Sequence, residues 1–77
     1  MNTQTQELIV WQSLNKKWQK SKFAMLEAEN LLDAKVTTFL NHKGLRPDQV
    51  LLERVDQLRQ EEDEARDELE SFITELL

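Results

Sequence analysis

The chain has 77 residues, with one glycine, one proline, one histidine and no cysteine, and it carries a net charge of −5. This length allows a single domain (residues 1–77), and the composition excludes disulfides, thiolate metal sites and histidine-rich metal clusters. Net acidity disfavours nucleic acid and anionic membranes as partners. The polar first residues and the lack of a long apolar run predict a cytoplasmic protein without a leader or membrane segment.

The first predicted element is a long amphipathic helix over about residues 5–43. Its bulky apolar residues recur every seven positions, at Trp11, Trp18, Met25, Leu32 and Phe39. This interval places them on one stripe of a helix and is typical of coiled-coil packing. The stripe needs an apolar partner along its whole length.

A turn at residues 44–46 separates the two predicted helices. Gly44 is the single glycine, and it stands where a helix commonly ends in a left-handed residue. In that geometry Leu45 contacts Leu40, the apolar pair that accompanies such an ending. Pro47 is then expected to be the first residue of helix two, where its missing N–H leaves no hydrogen bond unmade.

The second predicted helix covers about residues 47–77. Its apolar residues follow a four-three alternation with one gap, at Glu62, and they are Leu51, Val55, Leu58, Ala65, Leu69, Phe72 and Leu76. This stripe matches the first one when the chain folds back on itself. The sequence therefore predicts an all-α fold, an antiparallel two-helix hairpin with coiled-coil-like packing that pairs into a four-helix bundle.

Folding the chain back at Leu45 predicts that facing residues have numbers summing to about ninety. Trp18 then faces Phe72, and a thin layer forms where Ala28 faces Glu62. Bulky residues face apolar partners in most of the other layers. The predicted seam is continuous, with a few weak positions.

Charge is divided unequally between the two halves of the hairpin. Seven basic and four acidic residues precede Pro47, and three basic and eleven acidic residues follow it. The pairing places Glu29 near Arg59 and Lys17 near Glu68. Each exposed pair contributes at most ~1 kcal/mol, so these pairs set the register more than the stability.

A lone hairpin leaves large apolar side chains in water, and burying each is worth ~1.5–3 kcal/mol. We therefore expect a further chain to cover them, either a second copy in a homodimer or another helical protein. The candidate partner contacts lie on the edges of the stripe and at the open end of the hairpin: Val10, Trp11, Phe23, Ala24, Leu26, Leu31 and Leu77.

One segment of helix one carries four lysines around a tryptophan, a pattern found at nucleic-acid contacts. These lysines are Lys16, Lys17, Lys20 and Lys22. However, the spacing puts Trp18 on the packed stripe, and the acids of helix two lie alongside the lysines. The alternative function is a dimeric four-helix regulator that contacts nucleic acid through this segment.

Four consecutive acids, Glu61, Glu62, Asp63 and Glu64, could in principle hold a metal ion. No Glu-x-x-His pair and no glycine-containing calcium loop accompanies them. The run is therefore interpreted as a solvated helix face, with Glu62 extending outward from its thin layer. A second interpretation is that Glu62 fixes the register or receives a basic residue from a partner.

No pattern of catalytic or cofactor-binding residues is present. His42 has no companion for a triad or a metal site, and a thin hairpin offers no enclosed pocket, so we expect no enzyme. The predicted function is a protein–protein interaction module that binds helices by their apolar faces. In bulk features alone the chain is similar to the small chaperones and co-chaperones of bacterial secretion systems, which implies a chaperone or adaptor role.

Overall fold

The computed structural model describes residues 3–41, 44 and 46–77, which form two helices and no strand. Helix α1 is Thr3–Leu40 and helix α2 is Gln49–Leu76. They pack against each other as an antiparallel hairpin with overall dimensions of 62 × 18 × 14 Å. The predicted all-α hairpin is confirmed. Neither helix has a stretch apolar and long enough to cross a membrane within these residues.

Helix α2 begins two residues later than expected. Asp48 is its N-cap, with an extended backbone and a side-chain Oδ1 that accepts a hydrogen bond from the Val50 N–H at 3.1 Å. Pro47 therefore precedes the cap, and its predicted place as the first helical residue is wrong. The physical reason is that Asp48 supplies an acceptor for a free N–H at the start of the helix.

Helix α1 ends at Leu40, three residues before the predicted end, and the Asn41 N–H still donates to the Thr37 carbonyl at 3.1 Å. The predicted contact between Leu40 and Leu45 lies outside the described residues, because Leu45 is not among them. His42 lies outside them as well.

Gly44 lies four residues beyond the end of α1, so it is not the residue directly after the helix end that the sequence predicted. A Cβ atom at this position would lie 2.9 Å from Cγ2 of Thr38. Thr38 is held in place because its hydroxyl donates to the Ala34 carbonyl at 2.9 Å. The close approach to α1 therefore favours glycine at this position.

The apolar core lies mainly in the half of the seam nearer the turn. Ala28, Val55 and Leu58 form a buried cluster. Four partly buried residues pack against it, namely Ala24, Met25, Leu32 and Leu51. Farther along α2, Ala65 and Leu69 are also buried. Two of these five buried apolar residues are alanines, so the core is small.

Two ion pairs join the helices where the sequence predicted them. Arg59 Nη2 lies 2.7 Å from Glu29 Oε2, and Lys17 Nζ lies 3.1 Å from Glu68 Oε2. The residue numbers of these pairs sum to 88 and 85. These sums are two and five below the predicted value of about ninety. Each residue of α1 therefore faces a residue of α2 up to five positions away from the predicted one, which is a little more than one helical turn.

The predicted facing residues change with this register. Ala28 packs with Val55 and Leu58 instead of facing Glu62. Leu14 lies along the same groove as Phe72, the residue that was expected to face Trp18. The observed register brings a small residue, Ala28, against larger ones. This fills the seam better than a layer of alanine and glutamate would.

Candidate interaction surfaces

Glu62 is the one charged residue buried among those that the structure describes, with 6% of its surface exposed. The Trp18 indole Nε1–H donates a hydrogen bond to Glu62 Oε1 at 2.8 Å. Arg66 Nη1 lies 3.5 Å from Glu62 Oε2, one turn further along α2. These two neighbours compensate for the loss of water around the carboxylate. The interpretation of Glu62 as part of a solvated face is therefore wrong.

The other three acids of the run are exposed, as the sequence predicted. Glu61 accepts a hydrogen bond from the Gln57 amide, and Asp63 pairs with Arg66. Within the described ranges, no group of three or more acidic, histidine or cysteine side chains is arranged to hold a metal ion. The acidic run thus combines one buried carboxylate with a solvated face.

A shallow groove between the helices has small residues at its base. We call this surface the alanine flank, and it is lined by Ala24, Glu27, Ala28, Leu31, Leu51, Arg54 and Leu58. Leu31 is 50% exposed, while Leu58 is buried. Two predicted partner contacts, Ala24 and Leu31, therefore lie together on an apolar surface that is bordered by one acidic and one basic side chain.

A second shallow groove lies on α1 alone. We call it the phenylalanine flank, and it is lined by Trp18, Gln19, Lys22, Phe23 and Leu26. The Lys22 ammonium lies 5.1 Å from the centroid of the Trp18 ring, within the range of a cation–π interaction. Two further predicted contacts, Phe23 and Leu26, are exposed on this flank.

The remaining predicted contacts lie near the open end of the hairpin. Val10 and Leu77 are exposed, and Trp11 is half-buried. Leu77 is the C-cap of α2, and its N–H donates to the Ile73 and Thr74 carbonyls, both at 3.3 Å. Neither of the two grooves includes these three residues. The seven residues predicted as partner contacts thus belong to at least two separate surfaces.

Sequence reasoning missed that residues of α2 complete the alanine flank. Leu51 and Leu58 were assigned to the seam alone, yet both also line the groove. The signal that could have found it is the pair Ala24 and Ala28, four residues apart. Two small side chains on successive turns of one helix face leave a depression that the facing helix cannot fill.

Two of the four lysines in the predicted nucleic-acid segment are engaged within the chain. Lys17 pairs with Glu68, and Lys22 lies over Trp18. Lys16 and Lys20 are exposed, and neither has an ion-pair partner in the part of the chain that the structure covers. Lys16 and Lys20 are therefore the two lysines of the segment that neither of these contacts engages.

Comparisons with protein-family models, with curated proteins and with solved structures find no match to this chain.

Proposed function

We propose that the chain is a cytoplasmic, non-enzymatic protein–protein interaction module that acts as a homodimer, with two hairpins forming a four-helix bundle. The observation that carries this proposal is the exposed surface, 6311 Å². A compact monomer of 9.1 kDa exposes roughly 4,900 Å². The hairpin therefore exposes about 1,400 Å² more than a chain of its mass needs to.

Much of this surface is apolar. Thirteen large apolar side chains are at least 37% exposed. Covering the excess area on two chains would bury about 2,800 Å² in total, which is the size of an obligate dimer interface. The elongated shape supports the same conclusion. The radius of gyration is 17.7 Å, against roughly 11–12 Å for a compact domain of this length.

The small core also supports association. Chains of this size that lack disulfides and metals commonly depend on a partner for stability. A chaperone or adaptor role would use the same surface with a different helical chain as its occupant, by docking an amphipathic helix into a groove. As the occupant of this surface, a second copy of the chain is preferred over a different helical protein. One half of the hairpin is basic and the other is acidic, so each chain carries both complementary charges.

Sedimentation over 1–100 µM tests this proposal. We expect a species of twice 9.1 kDa, and a melting temperature that rises with protein concentration because unfolding is linked to dissociation. A folded monomer that melts at one temperature across this range would contradict the homodimer.

The response to salt distinguishes the homodimer from the alternative, a regulator that contacts nucleic acid. Binding through several lysines weakens steeply between 50 and 200 mM salt, whereas apolar helix packing changes little. We expect no salt-sensitive association with duplex DNA or single-stranded RNA, measured by fluorescence anisotropy. Tight binding that is lost when Lys16 and Lys20 are replaced by glutamate would favour the regulator.

A further inference from the structure

We propose that the second copy docks on the alanine flank, with the two turns at the same end of the dimer. Each α1 then lies antiparallel along the partner's α2. This inference deepens the proposed function and rests on it. The shape of the groove, two charged rows beside it and the height of each row along the rod support this arrangement.

The groove is suited to close packing of another helix. Ala24 and Ala28 lack bulk, so a helix can approach closely where they lie. Leu31 is half-exposed at the edge of the groove and would insert against the partner. The phenylalanine flank differs, because it is formed by α1 alone and does not include the facing helix.

A row of α1 residues extends the alanine flank towards the open end. Residues 16, 20, 24, 27 and 31 are separated by four, four, three and four positions, and such spacing keeps them on one helix face. Lys16 and Lys20 are therefore in line with Ala24 and Leu31. Within the basic segment, these are the two lysines that have neither an ion pair nor a ring contact among the described residues. Towards the open end of the hairpin, the α1 side of the proposed interface therefore carries positive charge.

The matching row on α2 is acidic. Residues 54, 57, 61, 64 and 68 are separated by three, four, three and four positions, so they too share one face. This face begins with Arg54 on the alanine flank and continues to Glu61, Glu64 and Glu68. The α2 side of the proposed interface therefore ends in negative charge.

A twofold axis parallel to the rod keeps every residue of the partner at its own height and places α1 of each chain over α2 of the other. The Lys17–Glu68 pair shows that this part of α1 is level with residue 68. The partner's Lys20 then comes close to Glu64. The partner's Lys16 comes close to Glu68.

The alternative twofold axis runs across the rod. It stacks α2 on its own copy, bringing together two helices that carry most of the acidic residues of their chains. Like charges at an interface oppose association. Charge complementarity therefore selects the arrangement with both turns at one end.

The first test compares two exposed leucines on different flanks. Leu31 is 50% exposed on the alanine flank and Leu8 is 53% exposed. Leu8 precedes Leu26 by 18 positions, which is five helical turns, so Leu8 shares the face of the phenylalanine flank. We expect Leu31→Asp to raise the dimer Kd by at least about 100-fold, and Leu8→Asp by less than about 3-fold. The reverse order would overturn the assignment.

The second test exchanges charges and does not depend on the apolar core. We expect Lys20→Glu and Glu64→Lys each to raise the dimer Kd by about 5–10-fold at low salt, and the double variant to return to within about 2-fold of the original. Double substitution without recovery would overturn the pairing. Circular dichroism of each variant confirms that the helices are retained.

The third test reports on orientation. The chain has no cysteine, so Thr5→Cys gives one spin label per chain. With both turns at one end, the two labels should lie within about 30 Å of each other, given helix spacings of roughly 10 Å. A dimer whose twofold axis runs across the rod would place the two labels near opposite ends of a rod 62 Å long. That result would overturn the proposal.

These outcomes separate the two proposals. A dimer that persists in Leu31→Asp would overturn the docking surface and leave the homodimer standing. A folded monomer at 100 µM would overturn both. A monomeric chain that binds a different helical protein through Leu31 would overturn the second copy as the occupant and leave an interaction module.

Discussion

Between the turn and Leu58 the two helices are joined by apolar side chains, whereas beyond Leu58 the seam contains a carboxylate. In the first region, Val55 is 1% exposed and packs with Ala28 and Leu58. In the second region, Glu62 occupies a position of the apolar stripe and receives the Trp18 indole N–H. One half is thus held mainly by burial and the other partly by a directed hydrogen bond.

The difference indicates what each half contributes. Apolar packing is roughly proportional to the area buried, and it discriminates weakly between neighbouring registers. A buried carboxylate is tolerated only where its hydrogen-bond donors are in place, so it penalises every register that separates it from Trp18. We therefore interpret the turn half as the main source of stability and the far half as the main source of alignment.

The largest effect is expected from two matched leucines. Leu58 and Leu69 are 8% and 7% exposed, but only Leu58 belongs to the buried cluster. Leu58→Ala should lower the free energy of unfolding by about 3–4 kcal/mol and Leu69→Ala by about 2 kcal/mol, because a cavity costs more where more atoms surround it. Urea unfolding at fixed protein concentration measures both. Equal losses would remove the distinction between the halves.

The next effect concerns the buried carboxylate. Glu62→Ala should lower the free energy of unfolding by about 1–3 kcal/mol, because the Trp18 N–H loses its acceptor in a partly buried site. The neighbouring Glu61→Ala, on the exposed face, should change it by less than about 0.5 kcal/mol. Trp18→Phe completes a double-mutant cycle, with an expected coupling of about 1 kcal/mol. A coupling near zero would show that the hydrogen bond does not align the seam.

A smaller effect is expected at the turn. Gly44→Ala should cost about 1 kcal/mol, because the new methyl group collides with Cγ2 of Thr38. Thr38→Ser removes that methyl group but keeps the hydroxyl that bonds to Ala34. In the Thr38→Ser background, Gly44→Ala should therefore be close to neutral in thermal unfolding. An equal loss in both backgrounds would point to the backbone of Gly44 instead.

The smallest effects belong to the two ion pairs between the helices, one next to Leu58 and one nearer the open end. Arg59–Glu29 is shorter and less exposed than Lys17–Glu68. We expect Glu29→Gln to cost more than Glu68→Gln, with both losses below about 1 kcal/mol and both reduced in 1 M salt. Losses that salt leaves unchanged would mean that these side chains contribute through packing.

The hairpin itself could be predicted from the sequence because its signals are local and repeated. Two apolar stripes of matching length, separated by the single glycine and the single proline, define the fold. The ion pairs Arg59–Glu29 and Lys17–Glu68 followed from the same pairing. They were correct even though the register was shifted, because long charged side chains reach partners about one turn away.

The register and the functional surface could not be predicted in the same way. The predicted sum assumed that the turn alone fixes the pairing, whereas Ala28 packs with Val55 and Leu58 in a shifted register. The burial of Glu62 follows from that shift and from the reach of the Trp18 side chain. The alanine flank needs residues from both helices at one height, so a stripe read along a single helix does not reveal it.

The hydrogen bond between Trp18 and Glu62 also gives the chain a natural optical reporter. Indole emission changes when a bonded carboxylate is replaced by bulk water. In a Trp11→Phe background, the fluorescence of the one remaining tryptophan would report on the separation of the helices at this point. Stopped-flow mixing could then time the opening of the far half without any attached dye.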